Sequence, residues 1–421
     1  MLIGNVKRLI PIALLLAILP ARATPHLRDA DSYPKAARAY LEAEQHANDL
    51  ALMSEAYIAP SDSTLPIEFR PESSKAFRVP YIPIPISEMH LLGIQGDARF
   101  LFDGTNFRFL VHPASLSLYR QLILKYGIIE GDYWAASTSS ARSLVLWSES
   151  EPDLLVSVKL SVAALQSGRT REVWPAEALH AVLVSQLLHS DLKNAETETG
   201  LAAIPEAFAA IPKAVPAGLI IKRLSKTDLA FRPVFAAFSS AGRSQPSFLE
   251  TVAKKERRKI FDVSFDFANA MLKAISEHYL RTGVIPEAHS QNMMFRRLSG
   301  SLSGSWAFRF RDLSGAAVNY EIRQERGLDS SAVTSVADRP EFDPAYEVDR
   351  GLTYFQKTLT LHFYRGIVSS IDRAFKFNGE LELKMAHSIQ DRLDAEVSAA
   401  KKRRPARSLV RTCEGLFKTA N

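Results

Sequence analysis

The sequence predicts an α+β chain of more than one domain, in which a sheet-bearing unit is followed by a mainly helical one. Three observations carry that expectation. The 421 residues exceed the usual length of a single domain. Short apolar runs with strand-like alternation fill the stretch from Gly93 to about Arg171. From Ser247 onward the apolar residues recur instead at helical spacing. Hydrophobic residues make up 47% of the chain and charged residues 23%, proportions that exclude wholesale disorder. The single cysteine, Cys413, excludes an intramolecular disulfide and a multi-cysteine zinc site.

Taken in order, the elements begin with a segment outside the fold. Lys7 and Arg8 precede an apolar run from Leu9 to Leu19, too short to span a bilayer, and Ala21-Arg22-Ala23 follows. This pattern predicts a secretory signal peptide over residues 1–23, hence export to the periplasm or beyond, with no stable membrane span after cleavage. The alternative is an uncleaved N-terminal helix in a cytoplasmic protein. Cleavage would remove three basic residues and no acidic one, lowering the net charge from +6 to about +3.

Asp31-Ser32-Tyr33-Pro34 predicts a helix start, with a helix from Ala36 to about Tyr57. Residues 58–90 carry a run of prolines ending in Val79-Pro80-Tyr81-Ile82-Pro83-Ile84-Pro85-Ile86, which predicts an extended connector and excludes a helix or a central strand. A strand-rich region follows, with Asp103-Gly104 as a hairpin signal. Trp174-Pro175 opens a helix from Ala176 to about His189, and an Ala- and Pro-rich stretch from Ala203 to Gly218 leads to a strand at Leu219-Ile220-Ile221. Phe261, Phe265, Ala268, Met271, Leu272, Ile275 and Tyr279 share a helical period that ends at Gly283, a natural C-cap. Ile285–Phe295 and Ser305–Asp312 read as loop and strand around a Gly/Ser turn, Ser299 to Gly304. Tyr354 to Ala399 is helical with a break at Asn378-Gly379. The expected divisions are residues 1–23, 24–110, 111–245 and 246–421.

Basic runs occur at Lys254–Lys259 and Lys401–Arg404 without interleaved aromatics or any nucleic-acid motif, so solvated helix faces are expected and no nucleic-acid partner. Candidate chemistry lies elsewhere. Val156, Val158, Leu160 and Val162 would face a core from one strand, projecting Lys159 to the other face, where a rigid backbone delivers a point charge suited to phosphate. The alternative is an amphipathic sheet with a solvated lysine. Arg171, and the turn holding Ser140, Arg142 and Ser143, could complete an anion cradle with it. Glu287-Ala288-His289-Ser290-Gln291-Asn292 places a carboxylate, an imidazole and an amide in one loop, and Arg311-Asp312 ends the next strand. Glu287, Asn292 and Asp312 are hard oxygen donors suited to Mg²⁺. The alternative for Glu287 and Asp312 is an ion pair with Arg309 or Arg311, and for His289 a hydrogen-bonded core histidine. The order of Lys, His, Asn and Asp parallels the kinase plan without its Gly-rich loop or H-R-D tripeptide.

These motifs resemble the IucA/IucC family of NRPS-independent siderophore synthetases. The family carries a Glu-Ala-His-Gly-Gln-Asn loop and a following Arg-Asp, matched here at Glu287–Asn292, with Ser290 in place of Gly, and at Arg311-Asp312. Its Ser-x-Arg-Thr turn, strand lysine and following arginine resemble Ser140–Ser143, with Ser143 in place of Thr, Lys159 and Arg171. His112-Pro113 resembles an upstream His-Pro motif but lacks the second histidine and the lysine that usually follow. The resemblance covers roughly residues 110 to 320, and the helical tail resembles the family's FhuF-like C-terminal region.

It implies an antiparallel sheet domain packed against a helical palm, with ATP in the cleft between them. It implies adenylation of a citrate-like polycarboxylic acid for attack by an amine or alcohol. Ser140, Arg142, Ser143, Lys159 and Arg171 would then hold phosphates, His289 would contact the nucleotide, and Glu287, Asn292 and Asp312 would hold Mg²⁺. His112 would lie near the acid, and a homodimer is an accompanying expectation. Because an exported chain works away from the ATP pool, two rivals stand beside this ligase. One is a non-catalytic binder of an anionic ligand such as a ferric siderophore, and the other is a kinase-like phosphotransferase.

Overall fold

Apolar side chains alternating at period two organise the largest element, an eight-stranded sheet buried on both faces. The computed structural model describes residues 26–45, 64–151, 153–166, 169–191, 201–239, 246–298, 306–330 and 351–403. Across the sheet the strands run Leu27–Arg28, Ala76–Arg78, Tyr133–Ser137, Ser143–Ser148, Leu155–Leu160, Leu219–Arg223, Glu206–Pro212 and Met89–Gly93. Every neighbouring pair is antiparallel. Phe208, Ala210, Leu219 and Ile221 face one core, while Ala209, Ile211 and Ile220 face another. Such alternation sends successive residues to opposite sides of the pleat.

The first face is covered by a three-stranded sheet, Tyr81–Pro85, Asn106–Leu110 and Phe102–Asp103, and by the 3₁₀ segment Pro113–Tyr119. The second face is shared. Helix Pro175–Asp191 covers one part, and helix Lys35–Gln45 packs Tyr40 and Leu41 with Trp134, Val145 and Trp147 on another.

The proline-rich stretch is more than a connector. Tyr81–Pro85 is extended and sits at the edge of the small sheet, where a missing N–H is tolerated, yet Ala76–Arg78 and Met89–Gly93 on either side join the main sheet. The main sheet therefore recruits strands from before residue 111. Two further differences concern local elements, and in the first of them burial overrides local preference. The Ala- and Pro-rich stretch contains the seven-residue strand Glu206–Pro212, every residue of it buried. Helix Arg120–Tyr126 interrupts the strand-rich region.

Beyond residue 245 the chain is mainly helical around a four-stranded sheet in the order Leu201–Ala203, Trp306–Phe310, Met293–Arg297, Arg232–Pro233. Ser247 and Glu250 form a reciprocal capping box at the start of helix Phe248–Glu256. Helix Ile260–Thr282 buries Ala268, Met271, Leu272, Ile275 and Tyr279 as its spacing predicts, together with Val263 and Phe267, while Phe261 and Phe265 sit half-buried at the margin. Gly283 caps it at φ +67°. The tail is helical from Gly351 to Phe375, breaks at Lys376, Asn378 and Gly379, all at positive φ, and resumes as Glu380–Arg403. Its segment Thr358–Val368 is a π-helix, a form concentrated at functional sites.

The signal segment 1–23, residues 46–57 of the expected N-terminal helix, the Ser299 to Gly304 turn, Arg404 and Cys413 lie outside the described residues. Among the described residues no helix is long and apolar enough to cross a membrane.

A Cβ at Gly283 would meet Arg323 Cγ at 2.6 Å and the Asn319 carbonyl oxygen at 2.7 Å, in a backbone conformation that L side chains avoid. Gly283→Ala is expected to lower stability by at least about 1–2 kcal/mol, read as a fall in the urea midpoint.

Candidate active site

Lys159 is the residue on which the site is built. Its strand pairs with Ser143–Ser148 on one side, Ser143 directly opposite Lys159, and with Leu219–Arg223 on the other, Ile220 opposite. Val156, Val158 and Leu160 enter the core of one face, so Lys159 projects from the other, as alternation requires. It is not a solvated lysine: it is 1% exposed. Its Nζ donates to Glu177 Oε1 at 2.7 Å, Asp312 Oδ1 at 2.7 Å and Ser314 Oγ at 3.1 Å. The mid-chain strand and the Arg311–Gly315 turn, 153 positions apart, thus meet at one ammonium.

The surrounding charges alternate. Arg142 donates to Glu177 Oε1 at 3.2 Å and to the Glu172 carbonyl at 3.0 Å. Behind Asp312, Lys222 pairs with Glu206 at 2.8 Å, and Glu206 Oε2 accepts from the Leu313 N–H at 3.0 Å. Burial would depress the Lys159 ammonium, and Arg142 adds to that, but Asp312, Glu177 and Glu206 outweigh both and hold it charged. Burial would raise the Asp312 carboxyl, but Lys159, Lys222 and Arg142 hold it well below the ordinary range. Glu177 is likewise lowered, Lys159 and Arg142 overcoming its burial. Asp312 adopts a left-handed backbone at φ +64°, unusual outside glycine and of a kind concentrated at functional sites.

The Ser-rich turn reaches the same region through Arg142 and Ser139. The Leu160 N–H bonds the Arg142 carbonyl at 2.8 Å, and the Ser143 N–H bonds the Ser140 carbonyl at 3.1 Å. Arg311, 9% exposed, staples three elements together. Its guanidinium binds Glu44 of the N-terminal helix through both Nη atoms, Tyr40 Oη at 3.2 Å, Ser139 Oγ at 3.1 Å and the Gln291 carbonyl at 2.8 Å. The Ser139 N–H also donates to Glu44, at 3.1 Å. Arg309 pairs instead with Asp228. The expected alternative, in which Arg309 or Arg311 neutralises Glu287 or Asp312, is therefore not what is observed.

Glu287, His289 and Asn292 lie on the loop before strand Met293–Arg297. Glu287 Oε2 accepts from Asn292 Nδ2 at 3.3 Å and lies 3.8 Å from His289 Nε2. The same carboxylate sits against Gly315, where a Cβ would clash with it. Burial, then the charge of Asp312, push the Glu287 carboxyl up. Two half-buried carboxylates opposed in this way, beside an amide, fit a hard divalent cation such as Mg²⁺. Among the described residues no cluster of three or more His, Cys, Asp or Glu has metal-binding geometry, so such an ion would draw on the amide and on water.

Two sequence candidates remain. Arg171 lies on the ribbon Val162–Gln166/Arg169–Arg171, opposite Val162. His112 is fully buried in the sheet core, edge-on to Phe69 and Phe77, and its Nδ1 caps the Pro113–Tyr119 segment by accepting from the Ala114 N–H at 3.1 Å. That is a packing and capping role, and burial pushes its imidazole down to about 3.

Several residues of the site escaped the sequence reading. Glu177 lies in the first turn of an apolar helix, Glu44 stands four residues after Tyr40 on a helix face, and Lys222 is the last residue but one of a strand. His362, on the π-helix, places its ring 6.2 Å from that of His289, and its Nε2 is buried without a hydrogen-bond partner among the described residues. Burial lowers both rings to about 4. None of these four sits in a motif.

Comparison with known proteins then fixes the architecture. Petrobactin biosynthesis protein AsbB from Bacillus anthracis str. Sterne superposes with a TM-score of 0.66 at 15% identity, over 87% of this chain and 68% of that one. The fold is that of the siderophore synthetases. ATP-bound aerobactin synthetase IucA from a hypervirulent pathotype of Klebsiella pneumoniae matches at 0.59 and 13% identity, over 87% of this chain and 74% of that one. Aerobactin synthetase IucC from the same source matches at 0.56 and 13%, over 82% and 68%. No protein-family model and no curated protein sequence matches the chain. At this identity the synthetase likeness establishes the fold, with its antiparallel sheet and helical C-terminal region.

Two predictions follow from the buried charges. Arg311→Ala strands Glu44, which has no exposed surface, and is expected to cost about 3–5 kcal/mol in urea unfolding. His112 and His278 are held down to about 3, and His289 and His362 to about 4, all by burial first. Below about pH 6.5 the unfolded chain takes up protons at these positions that the folded chain refuses, so stability should fall steadily from neutrality toward pH 4. His278→Leu should flatten that slope by about one proton.

Proposed function

We propose that the protein is a siderophore-synthetase-like ligase that uses ATP to adenylate a citrate-like polycarboxylic acid for condensation with an amine or alcohol. The observation that carries the reading is the meeting of Lys159 and Asp312 at 2.7 Å on the synthetase fold, at the junction of the sheet with the helical part. The IucA structure of that fold is ATP-bound, which supports placing the nucleotide here.

In this reading Lys159 and Arg142 receive the phosphates, with Ser140, Ser143 and Arg171 at the margin of the cradle, and His289 contacts the nucleotide. Glu287, Asn292 and Asp312 would hold Mg²⁺, which would supply charge neutralisation at the phosphates. A substrate carboxylate oxygen bonds to the α-phosphorus and pyrophosphate leaves. The nucleophile then bonds to the acyl carbon, AMP leaves, and the nucleophile gives up a proton. The chain's part is to hold fixed cations where charge develops. No role at the acid is proposed for His112, given its place in the core.

A second reading is favoured by one specific feature, the saturation of Lys159 by the chain's own acceptors: a non-catalytic exported protein that binds an anionic ligand such as a ferric siderophore. Export through residues 1–23 belongs to either proposal and is tested by sequencing the N-terminus of the secreted protein.

The ligase reading expects Mg·ATP binding, and release of AMP and pyrophosphate with citrate and hydroxylamine. Lys159→Gln and Asp312→Asn should each lower the affinity at least about tenfold, Asn being chosen because it tolerates the left-handed backbone. Absence of nucleotide binding, or equal affinity in all three proteins, removes this reading. Release of ADP would point to a phosphotransferase, and tight ferric-siderophore binding without turnover to the second reading.

A further inference from the structure

An ammonium has three protons to donate, and the Lys159 ammonium meets three acceptors. One acceptor differs in kind from the others. Asp312 is fixed by its left-handed backbone and by the Ser314 hydroxyl at 2.6 Å. Glu177 stands on the first turn of helix Pro175–Asp191, at the end of a longer side chain that can swing without moving the backbone. Its Oε1 alone takes Lys159 at 2.7 Å, Arg142 at 3.2 Å and Ser314 at 3.3 Å.

A compact anionic oxygen that gathers an ammonium, a guanidinium and a hydroxyl presents what a phosphate oxygen presents. Formal charge supports the comparison. Arg142, Lys159 and Lys222 balance Glu177, Asp312 and Glu206, so this row of ion pairs is formally neutral and gains one positive charge when Glu177 is withdrawn.

We propose that Glu177 is a resident counter-anion of the phosphate subsite, occupying Lys159 and Arg142 in place of a polyphosphate and setting anion affinity by the cost of its displacement. ATP as the physiological ligand rests on the function proposed above. The exchange at Lys159 and Arg142 does not.

Glu177→Gln keeps the shape and the acceptor oxygen and removes the charge. Wild type and Glu177→Gln are titrated calorimetrically with inorganic tripolyphosphate and, separately, with Mg·ATP. The expected result is an affinity for tripolyphosphate about tenfold or more higher in the variant, reversed when Lys159→Gln is added. Equal or weaker tripolyphosphate binding in Glu177→Gln overturns the proposal, whatever ATP does. A gain for tripolyphosphate with no binding of Mg·ATP to either protein upholds it and removes the nucleotide reading instead. Should the variant fail to fold, a structure of the wild type with tripolyphosphate decides. Glu177 displaced from Lys159 by a phosphate oxygen upholds the exchange, and Glu177 still 2.7 Å from Lys159 refutes it.

Discussion

The fold depends on a row of alternating charges built on the buried Lys159, with half-buried Arg142, Glu177 and Asp312 around it and buried Glu206 and Lys222 behind. Taking such groups out of water costs several kcal/mol per ion, a cost that good geometry and complete hydrogen bonding must offset. Here the geometry demands a particular docking. Lys159 belongs to the main sheet, Glu177 to the helix covering it, and Asp312 to the turn that ends a strand of the second sheet. Each carboxylate finds its cation only when the three elements sit in one arrangement. The row therefore acts as a register mark between the sheet and the helical part, on top of the less directional apolar packing around it.

A second constraint ties the N-terminal helix to this junction. Glu44 and Tyr40 lie four residues apart, one above the other on a helix face, and together they meet Arg311. Through Arg311 and Ser139 the helix, the Ser-rich turn and the Glu287–Asn292 loop become one connected body. Polar atoms that are this fully engaged leave little freedom. His362, by contrast, rides a π-helix with a ring nitrogen that has no partner among the described residues.

Much of the architecture could be read from the residues themselves. The helix Ile260–Thr282 announced itself by period and by Gly283, and the Lys159 strand by alternation, because both signals are local and repeat several times. The strand Glu206–Pro212 was hidden: alanines and prolines have weak strand preference, and only burial between two partners makes that segment extended. The proline-rich stretch was misleading for a related reason. Its prolines exclude a central strand only for the residues that carry them, and the flanking segments paired normally. At the site, Lys159, His289 and Asp312 were marked by motif, whereas Glu177, Glu44 and His362 were not, since nothing adjacent in the chain distinguishes them from solvated or core residues.

Residue order alone determined which side chains carry charge, which strand face Lys159 occupies and where Gly283 stops a helix, because periodicity and backbone preference act over a few neighbouring positions. What surrounds that lysine was decided by the tertiary structure. Whether an ammonium meets water, a ligand or the chain's own carboxylates depends on groups brought together from 153 positions away, and docking alone sets those distances.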